Sequence, residues 1–291
     1  MIWLTLLPAT LALALAAALS AVPLPLHPSW TARLLATVAG TAVTTVIGTL
    51  LFIGLNYAAT LFPDAADRLP EWALFGDDRP VHAALGVPAC ALTCLSVLAA
   101  ARLAARWTAE VRRAGRAARS IVDSDVPLAL AVPGRGVLVS RGLVDLLDPA
   151  ELRAVFHHEA SHLRHRHHRY LAAGALAAGT LPFLRRLNGR LRFHLERWAD
   201  EDAAEAVGDR ELVARTIARV ALARSSAGPS APPLSAFTDS GVVRRVQALL
   251  TSAPAKNPVT GPVVLAGAGL CTGVLASTAW QLDHALGIAL L

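Results

Sequence analysis

Four apolar runs, each long enough to cross a lipid bilayer, constrain this chain more than any other feature of its sequence. They cover about residues 2–24, 34–62, 83–105 and 259–282. A helix needs roughly 20 apolar residues to cross a hydrocarbon core of about 30 Å. Composition agrees, because 54% of the 291 residues are hydrophobic and only 16% are charged. The sequence therefore predicts a mainly α-helical membrane protein with about four transmembrane helices.

The first apolar run is rich in alanine and could be mistaken for a signal peptide. Signal peptides begin with a cationic region. No Lys or Arg precedes the apolar residues of this run. We therefore expect an uncleaved first helix.

The placement of arginines predicts the direction of the spans. The third run leads into the densest cationic cluster of the chain, which comprises Arg102, Arg106, Arg112, Arg113, Arg116 and Arg119. Cytoplasmic loops of membrane proteins carry an excess of Lys and Arg. We therefore expect a multi-pass protein of the cell membrane, with its N-terminus outside and residues 107–257 in the cytoplasm. Since no base-stacking aromatic pattern accompanies the arginines, direct binding of nucleic acid is not expected despite a net charge of +6.

The apolar runs divide the chain into a three-helix membrane region (1–106), a polar domain (107–257) and a C-terminal transmembrane helix (258–291). In the polar domain, residues 128–132 and 137–139 are short apolar runs around Pro-Gly-Arg-Gly, a pattern that predicts a β-hairpin or small sheet. Residues 171–184 are also apolar but too few to span a bilayer. We expect them to form either a buried core segment or a membrane-dipping hairpin.

The polar domain contains the spacing typical of a helical zinc site. Asp148, Pro149 and Glu151 combine an N-cap residue, a proline at the first helical position and a capping-box acid, so we expect a helix to begin near Pro149. On that helix His158 and His162 are four residues apart, which places both imidazoles on one face. We expect this pair to bind one Zn²⁺ per chain.

Glu159 follows the first of these histidines and completes a His-Glu-x-x-His pattern. In this pattern the glutamate is the catalytic base, because it takes a proton from a metal-activated water that attacks a peptide carbonyl. A structural zinc site has no use for such a base. The pattern therefore favours a zinc endopeptidase over the alternative, a non-proteolytic membrane signalling protein with structural zinc. A metal transporter is less favoured, since the histidines lie outside the spans.

A third ligand is expected from a later helix, and Glu196 is the candidate. Asp200 lies one turn further on and is expected to accept a hydrogen bond from a ligating histidine, which fixes the tautomer and orientation of the ring. An ordinary solvated acidic face is the alternative for this segment. Its occurrence downstream of the histidine motif favours the ligand interpretation.

Other polar residues near these motifs are expected to lie on the surface. Four further histidines supply no second ligand set of recognised geometry, and we expect a solvated or membrane-surface patch from His157, His165, His167 and His168. Arg244 and Arg245 belong to a predicted short helix at residues 242–250. We expect them to be solvated, with lipid phosphates or acidic partners as the alternative contacts.

The two motifs, His158 to His162 and Glu196 to Asp200, resemble the HExxH and ExxAD motifs of the gluzincin integral-membrane zinc metallopeptidases. Residues 127–207 carry the resemblance, and their strand-then-helix entry is similar to that of HtpX-like and CAAX-prenyl-type proteases. Three spans, a protease segment and a fourth span resemble the BlaR/MecR family. The sensor domain of those receptors has no counterpart in the sequence up to Leu291, so direct β-lactam sensing is not expected.

This resemblance implies a gluzincin-type helical metalloprotease domain in the cytoplasm. It implies zinc held by His158, His162 and Glu196, with Glu159 as general base. A cytoplasmic regulator of the repressor type is the implied substrate, and membrane proteins are the alternative. The expected partners are therefore a protein or peptide substrate and the lipid bilayer, while the oligomeric state is left open.

Overall fold

The structure is a computed structural model that describes residues 2–66, 81–117, 124–134, 136–226 and 239–271. In chain order its helices are α1 (Ile2–Ala21), α2 (Pro28–Leu61), α3 (Pro63–Ala66), α4 (Ala83–Ala117), α5 (Arg141–Leu146), α6 (Pro149–Arg164), α7 (His167–Thr180), α8 (Arg185–Val207), α9 (Arg210–Ser226), α10 (Asp239–Leu250) and α11 (Thr260–Cys271). A 3₁₀ turn (Pro182–Leu184) joins α7 to α8, and the described sheet consists of β1 (Ala129–Val132) and β2 (Gly136–Val139). The predicted class, mainly helical with a small hairpin, is confirmed.

Two of the described helices are long and apolar enough to cross a membrane. They are α2 and the Ala83–Arg106 part of α4. The first and last predicted runs are also helical, but their described apolar stretches, Leu6–Ala21 and Thr260–Cys271, are shorter. The rest of the last run lies outside the described residues. Four spans and their direction therefore stay predictions.

Helices α2 and α4 pack against each other in opposite directions. Gly54 of α2 contacts Cys90 of α4. Three residues further along α2, Tyr57 covers Gly86 of α4 so closely that a Cβ added at Gly86 would lie 2.0 Å from the tyrosine ring. Much of the remaining surface of α4 is apolar and exposed, including Leu92, Leu95, Val97 and Leu98. Such a surface is compatible with contact to lipid chains.

The N-terminal half of α2 packs into the largest hydrophobic core, which it shares with α1, α7 and α8. Leu35 and Val38 of α2 are almost fully buried there, together with Leu187, Leu191 and Leu195 along one face of α8. These three leucines are four residues apart, so one stripe of α8 faces α2. The candidate membrane helix therefore positions α8.

The apolar stretch at residues 171–184 forms the end of α7 and the 3₁₀ turn. Ala177, Leu181 and Leu184 are buried in the same core. Helix α7 packs against both α2 and α4. One face of this stretch therefore belongs to the core, and a membrane-dipping hairpin stays a prediction.

The hairpin and the start of α6 form as predicted. Strands β1 and β2 pair antiparallel, with Ala131 opposite Val137. The Asp148 carboxylate accepts hydrogen bonds from the backbone N–H groups of Ala150 and Glu151 at 2.8 and 2.9 Å, and Glu151 accepts from the Asp148 N–H at 3.0 Å. This capping box satisfies N–H groups that have no partner within the helix, and fixes where α6 begins.

The buried hydroxyl of Ser140 ties the hairpin to α5. It donates to the Val126 carbonyl at 2.9 Å and accepts from the N–H groups of Leu128 at 2.8 Å and Leu143 at 3.2 Å. Gly142, in the first turn of α5, donates its N–H to the Ser124 carbonyl at 3.0 Å. The segment before β1 therefore runs close against the start of α5.

Replacing Gly142 by alanine should destabilise the protein. A Cβ at this position would lie 2.0 Å from the carbonyl oxygen of Asp125, so the backbone must move. Overpacking of this kind costs about 1–3 kcal/mol, which we expect to appear as a lower midpoint of thermal unfolding in detergent. Gly189→Ala on α8 is the control, because its added Cβ meets no atom within 4 Å. Equal midpoints for the two variants would contradict the close approach.

Candidate metal centre

Helix α6 presents His158 and His162 on one face, and α8 packs against that face with Glu196. The Nε2 atoms of the two histidines are 3.1 Å apart. The Glu196 carboxylate oxygens lie 3.5 Å from His158 Nε2 and 3.6 Å from His162 Nε2. The sequence-predicted ligands thus meet, although Glu196 is separated from the histidines by the whole of α7.

These three donors fit a zinc ion. A tetrahedral zinc with bonds of about 2.0–2.1 Å separates its ligand atoms by about 3.3–3.4 Å. The observed separations of 3.1, 3.5 and 3.6 Å bracket that spacing. Two imidazoles and one carboxylate are also a donor set that zinc accepts. Among the described residues no other group of three His, Cys, Asp or Glu residues converges in this way.

Asp200 lies behind the first histidine. Its Oδ1 atom is 3.1 Å from Nδ1 of His158, and its side chain is fully buried. A hydrogen bond from Nδ1–H to this oxygen leaves the Nε2 lone pair of His158 directed at the other donors. The geometry therefore matches the orienting position predicted for Asp200.

Arg245 of α10 connects the two acidic groups of α8. Its guanidinium donates to both oxygens of Asp200 at 2.7 and 2.8 Å and lies 3.1 Å from Glu196 Oε2. The arginine is almost fully buried, so the predicted solvated position is wrong. Arg245 is four residues before Leu249, which is also buried, so both lie on one helix face. This spacing is the sequence feature that could have indicated that Arg245 is buried.

The charges of this network shift the pKa values of its members. Burial alone would lower the pKa of His158, but hydrogen bonds and charges from Asp200 and Glu196 outweigh it and raise the pKa to about 10. Burial raises the pKa of each carboxyl group, but Arg245 and the histidines hold both pKa values below their usual range. Despite burial, the pKa of Arg245 is raised by the carboxylates. The network therefore favours ionised carboxylates beside the donors.

The second histidine has a neutral neighbour instead of a carboxylate. Nδ1 of His162 is 2.8 Å from Nδ1 of His167, which is fully buried and packs against Trp198. Burial, followed by the nearby His162, lowers the pKa of His167 to about 2. Its ring therefore stays uncharged, and in the tautomer in which it accepts a hydrogen bond from Nδ1–H of His162, the Nε2 of His162 is left free for a metal.

The predicted histidine patch is therefore wrong for His167, which is buried behind the ligand. His165 is partly exposed, and its Nε2 bonds Asp202 at 2.9 Å while its ring lies 4.4 Å from that of Trp198. His157 and His168 remain partly exposed. An alternating pattern of arginines and histidines concealed which face of the chain turns inward.

Glu159 follows His158 on α6 and is partly exposed, as the two histidines are, whereas Glu196 is buried. Its charge reaches the guanidinium of Arg245, where it adds to the larger effect of Asp200 and Glu196 in raising the pKa against the effect of burial. Of these three carboxylates, Glu159 is the partly exposed one. That position suits exchange of protons with water.

Comparison with known proteins also indicates a metallopeptidase. Residues 98–192 match the sequence profile of peptidase family M48. This part of the chain is similar to M48 peptidases, and we call it the M48 segment. A "Protease HtpX homolog" of Thermoplasma acidophilum is 43% identical over 68 residues, which are 22% of this chain and 20% of that protein. No solved structure matches the chain.

The M48 segment contains His158, Glu159 and His162 but ends before Glu196 and Arg245. The third donor and the arginine therefore rest on the geometry of α8 and α10. The comparisons support the HtpX-like side of the expected resemblance. The likeness to the BlaR/MecR family is tested by neither comparison and stays a prediction.

Arg245→Met should destabilise the metal-free protein, because it leaves the two buried carboxylates of α8 with His158 as their one close cation among the described residues. Breaking a buried ion pair in this way costs about 3–5 kcal/mol. We expect a lower midpoint of thermal unfolding in detergent and a partial recovery on adding zinc, since the metal binds beside the same carboxylates.

Arg244→Met is the matched control for this variant. Arg244 is exposed and stacks on Phe193 at 4.6 Å, so its loss should change the midpoint much less. If both variants unfold at the same temperature, the network around Arg245 is not a source of stability.

Proposed function

We propose that this chain is a membrane-embedded, zinc-dependent endopeptidase. The observation that carries the proposal is the convergence of His158, His162 and Glu196, with the partly exposed carboxylate of Glu159 next to His158 in the chain on α6. Structural zinc sites take four protein ligands, whereas catalytic sites take three and leave one position open. The described residues supply three. This count favours catalysis over the alternative, a signalling protein with structural zinc.

The roles of the side chains follow from their positions. Bound by the three donors, Zn²⁺ would act as a Lewis acid and lower the pKa of a water molecule. Glu159 would act as the general base toward a water that attacks a peptide carbonyl, and would return the proton to the leaving amine. Asp200 and His167 would hold the two imidazoles in the tautomers that leave Nε2 available to a metal.

We propose that α2 and α4 span the cell membrane and that the first and last apolar helices complete four spans. The arginines at the end of α4 support a cytoplasmic location for the M48 segment, with the N-terminus outside. A protease at this location can cleave a cytoplasmic regulator of the repressor type. Membrane proteins are the second candidate substrates, because Glu196 lies on α8, which packs directly against α2.

Glu159→Gln should abolish proteolysis and preserve zinc. The amide has nearly the same shape as the carboxylate but cannot accept the proton, so we expect a loss of at least about 10²-fold in kcat. Zinc content by elemental analysis should remain one per chain. Cleavage of a fluorogenic protein substrate in detergent measures the activity, and Glu211→Gln, an exposed residue of α9, is the control. Undiminished cleavage would exclude Glu159 as the base.

Glu196→Gln should weaken zinc binding, because it replaces a charged ligand by a neutral one. We expect the zinc dissociation constant, measured by chelator competition, to rise about 10- to 100-fold, the range seen when the surroundings of a metal site are altered. Glu205→Gln is the control on the same helix, where the side chain is exposed and pairs with Lys256. Unchanged zinc affinity would show that Glu196 is not a zinc ligand. A structural role for zinc would then be as well supported as a catalytic one.

A further inference from the structure

We propose that the turn between α7 and α8 binds the headgroups of anionic phospholipids. We call this surface the arginine turn, and it consists of Pro182 and Phe183 of the 3₁₀ turn with Arg185 and Arg186 of the first turn of α8. Arg102 and Arg106 of α4 flank Leu103 in the chain, and Leu103 approaches Gly179 of α7. The proposal rests on the membrane placement of α2 and α4 proposed above. It is independent of the zinc chemistry.

The arginine turn is held rigidly by the core beneath it. Leu181, Leu184 and Leu187 are 7%, 2% and 0% exposed, whereas Phe183 between them is 53% exposed. A single exposed aromatic ring does not by itself indicate a partner. Here the indication of a partner is that the position of Phe183 is fixed relative to the candidate membrane helices.

The turn lies at the level where the apolar part of α4 ends. Residues 83–101 of α4 precede its first arginine and extend about 28 Å at 1.5 Å per residue, close to the hydrocarbon thickness of about 30 Å. Just beyond them, a methyl group of Leu103 lies 3.1 Å from the Cβ position of Gly179. The turn begins three residues after Gly179. An exposed ring at this level can reach acyl chains while adjacent guanidinium groups reach phosphates.

The charge of the surface has one sign. Residues 160–195 contain seven arginines and no Asp or Glu, and residues 80–109 also contain no acid. Arg185 and Arg186 are exposed, and neither forms an ion pair with a residue that the structure describes. Arginine binds phosphate oxygens in a two-pronged geometry. The anionic headgroups of the cytoplasmic leaflet are opposite in charge to this surface, and they lie at the same depth along α4.

An acidic protein would also complement the charge, but it would have to lie within the headgroup layer. Phe183 favours lipid, because an acidic chain offers the ring no apolar contact. Arg190 is not part of the surface, since its guanidinium donates to the carbonyls of Leu19 and Val22 at the end of α1. The proposal therefore depends on Arg185, Arg186 and Phe183.

The first test measures the surroundings of position 183. An environment-sensitive dye is attached to Phe183→Cys in full-length protein whose native cysteines are replaced by alanine, reconstituted in nanodiscs that contain phosphatidylglycerol. We expect blue-shifted emission that spin-labelled lipid quenches. Phe156→Cys is the control, because Phe156 is 42% exposed on α6, away from the turn. The same water-like emission at both positions would overturn the proposal.

The second test measures the charge. Wild-type protein should unfold at a higher temperature in nanodiscs with phosphatidylglycerol than in phosphatidylcholine alone. Arg185→Gln/Arg186→Gln should remove most of this gain and lower the affinity for phosphatidylglycerol about fivefold per arginine. Arg153→Gln/Arg215→Gln, which removes two exposed arginines of α6 and α9, should retain the gain.

Two results of the second test would overturn the proposal. One is an unchanged lipid gain in Arg185→Gln/Arg186→Gln. The other is a gain of wild-type size in neutral nanodiscs on adding polyglutamate or inorganic phosphate, which would assign the surface to soluble anions. Both tests can be made in the Glu159→Gln background, so their outcome is independent of proteolysis.

Discussion

One buried guanidinium group holds together the helices of the candidate metal centre. Arg245 of α10 contacts Asp200 and Glu196, which are both buried on α8. Two carboxylates this close repel each other and lose their hydration, so α8 could not bury them against α6 without a cation. The arginine supplies one positive charge against two negative ones. The remaining negative charge faces the imidazoles, where the raised pKa of His158 lets a proton balance it and a divalent cation can take the place of that proton.

The two histidine ligands are supported in different ways. His158 is backed by a carboxylate that the arginine neutralises in part, whereas His162 is backed by the neutral ring of His167. Trp198 packs against that ring, and Arg33 of α2 lies over the indole at 4.7 Å. A contiguous set of contacts thus joins α2 to the second ligand. The orientation of this imidazole depends on the position of a candidate membrane helix.

Features of the site that depend on nearby residues could be predicted from the sequence, and those that depend on packing could not. The Asp148 cap acts within three residues, and the histidine spacing follows from helical geometry alone. Glu196 was identified through a motif resemblance. Arg245 was missed because its partner lies 45 residues away, and only the docking of α10 on α8 decides that it is buried. His167 was missed because a turn after α6 redirects it.

The predicted membrane region (1–106) and polar domain (107–257) share one hydrophobic core. Helix α2 is the reason. Its 34 residues extend about 51 Å, well beyond a hydrocarbon core of about 30 Å. The surplus lies at the N-terminal half, where Leu35 and Val38 pack with Leu191 of α8. Residues on both sides of position 106 therefore share one apolar core. Because α8 carries Glu196 and Asp200, the metal donors are positioned by a core that a boundary at 106 would cut in two.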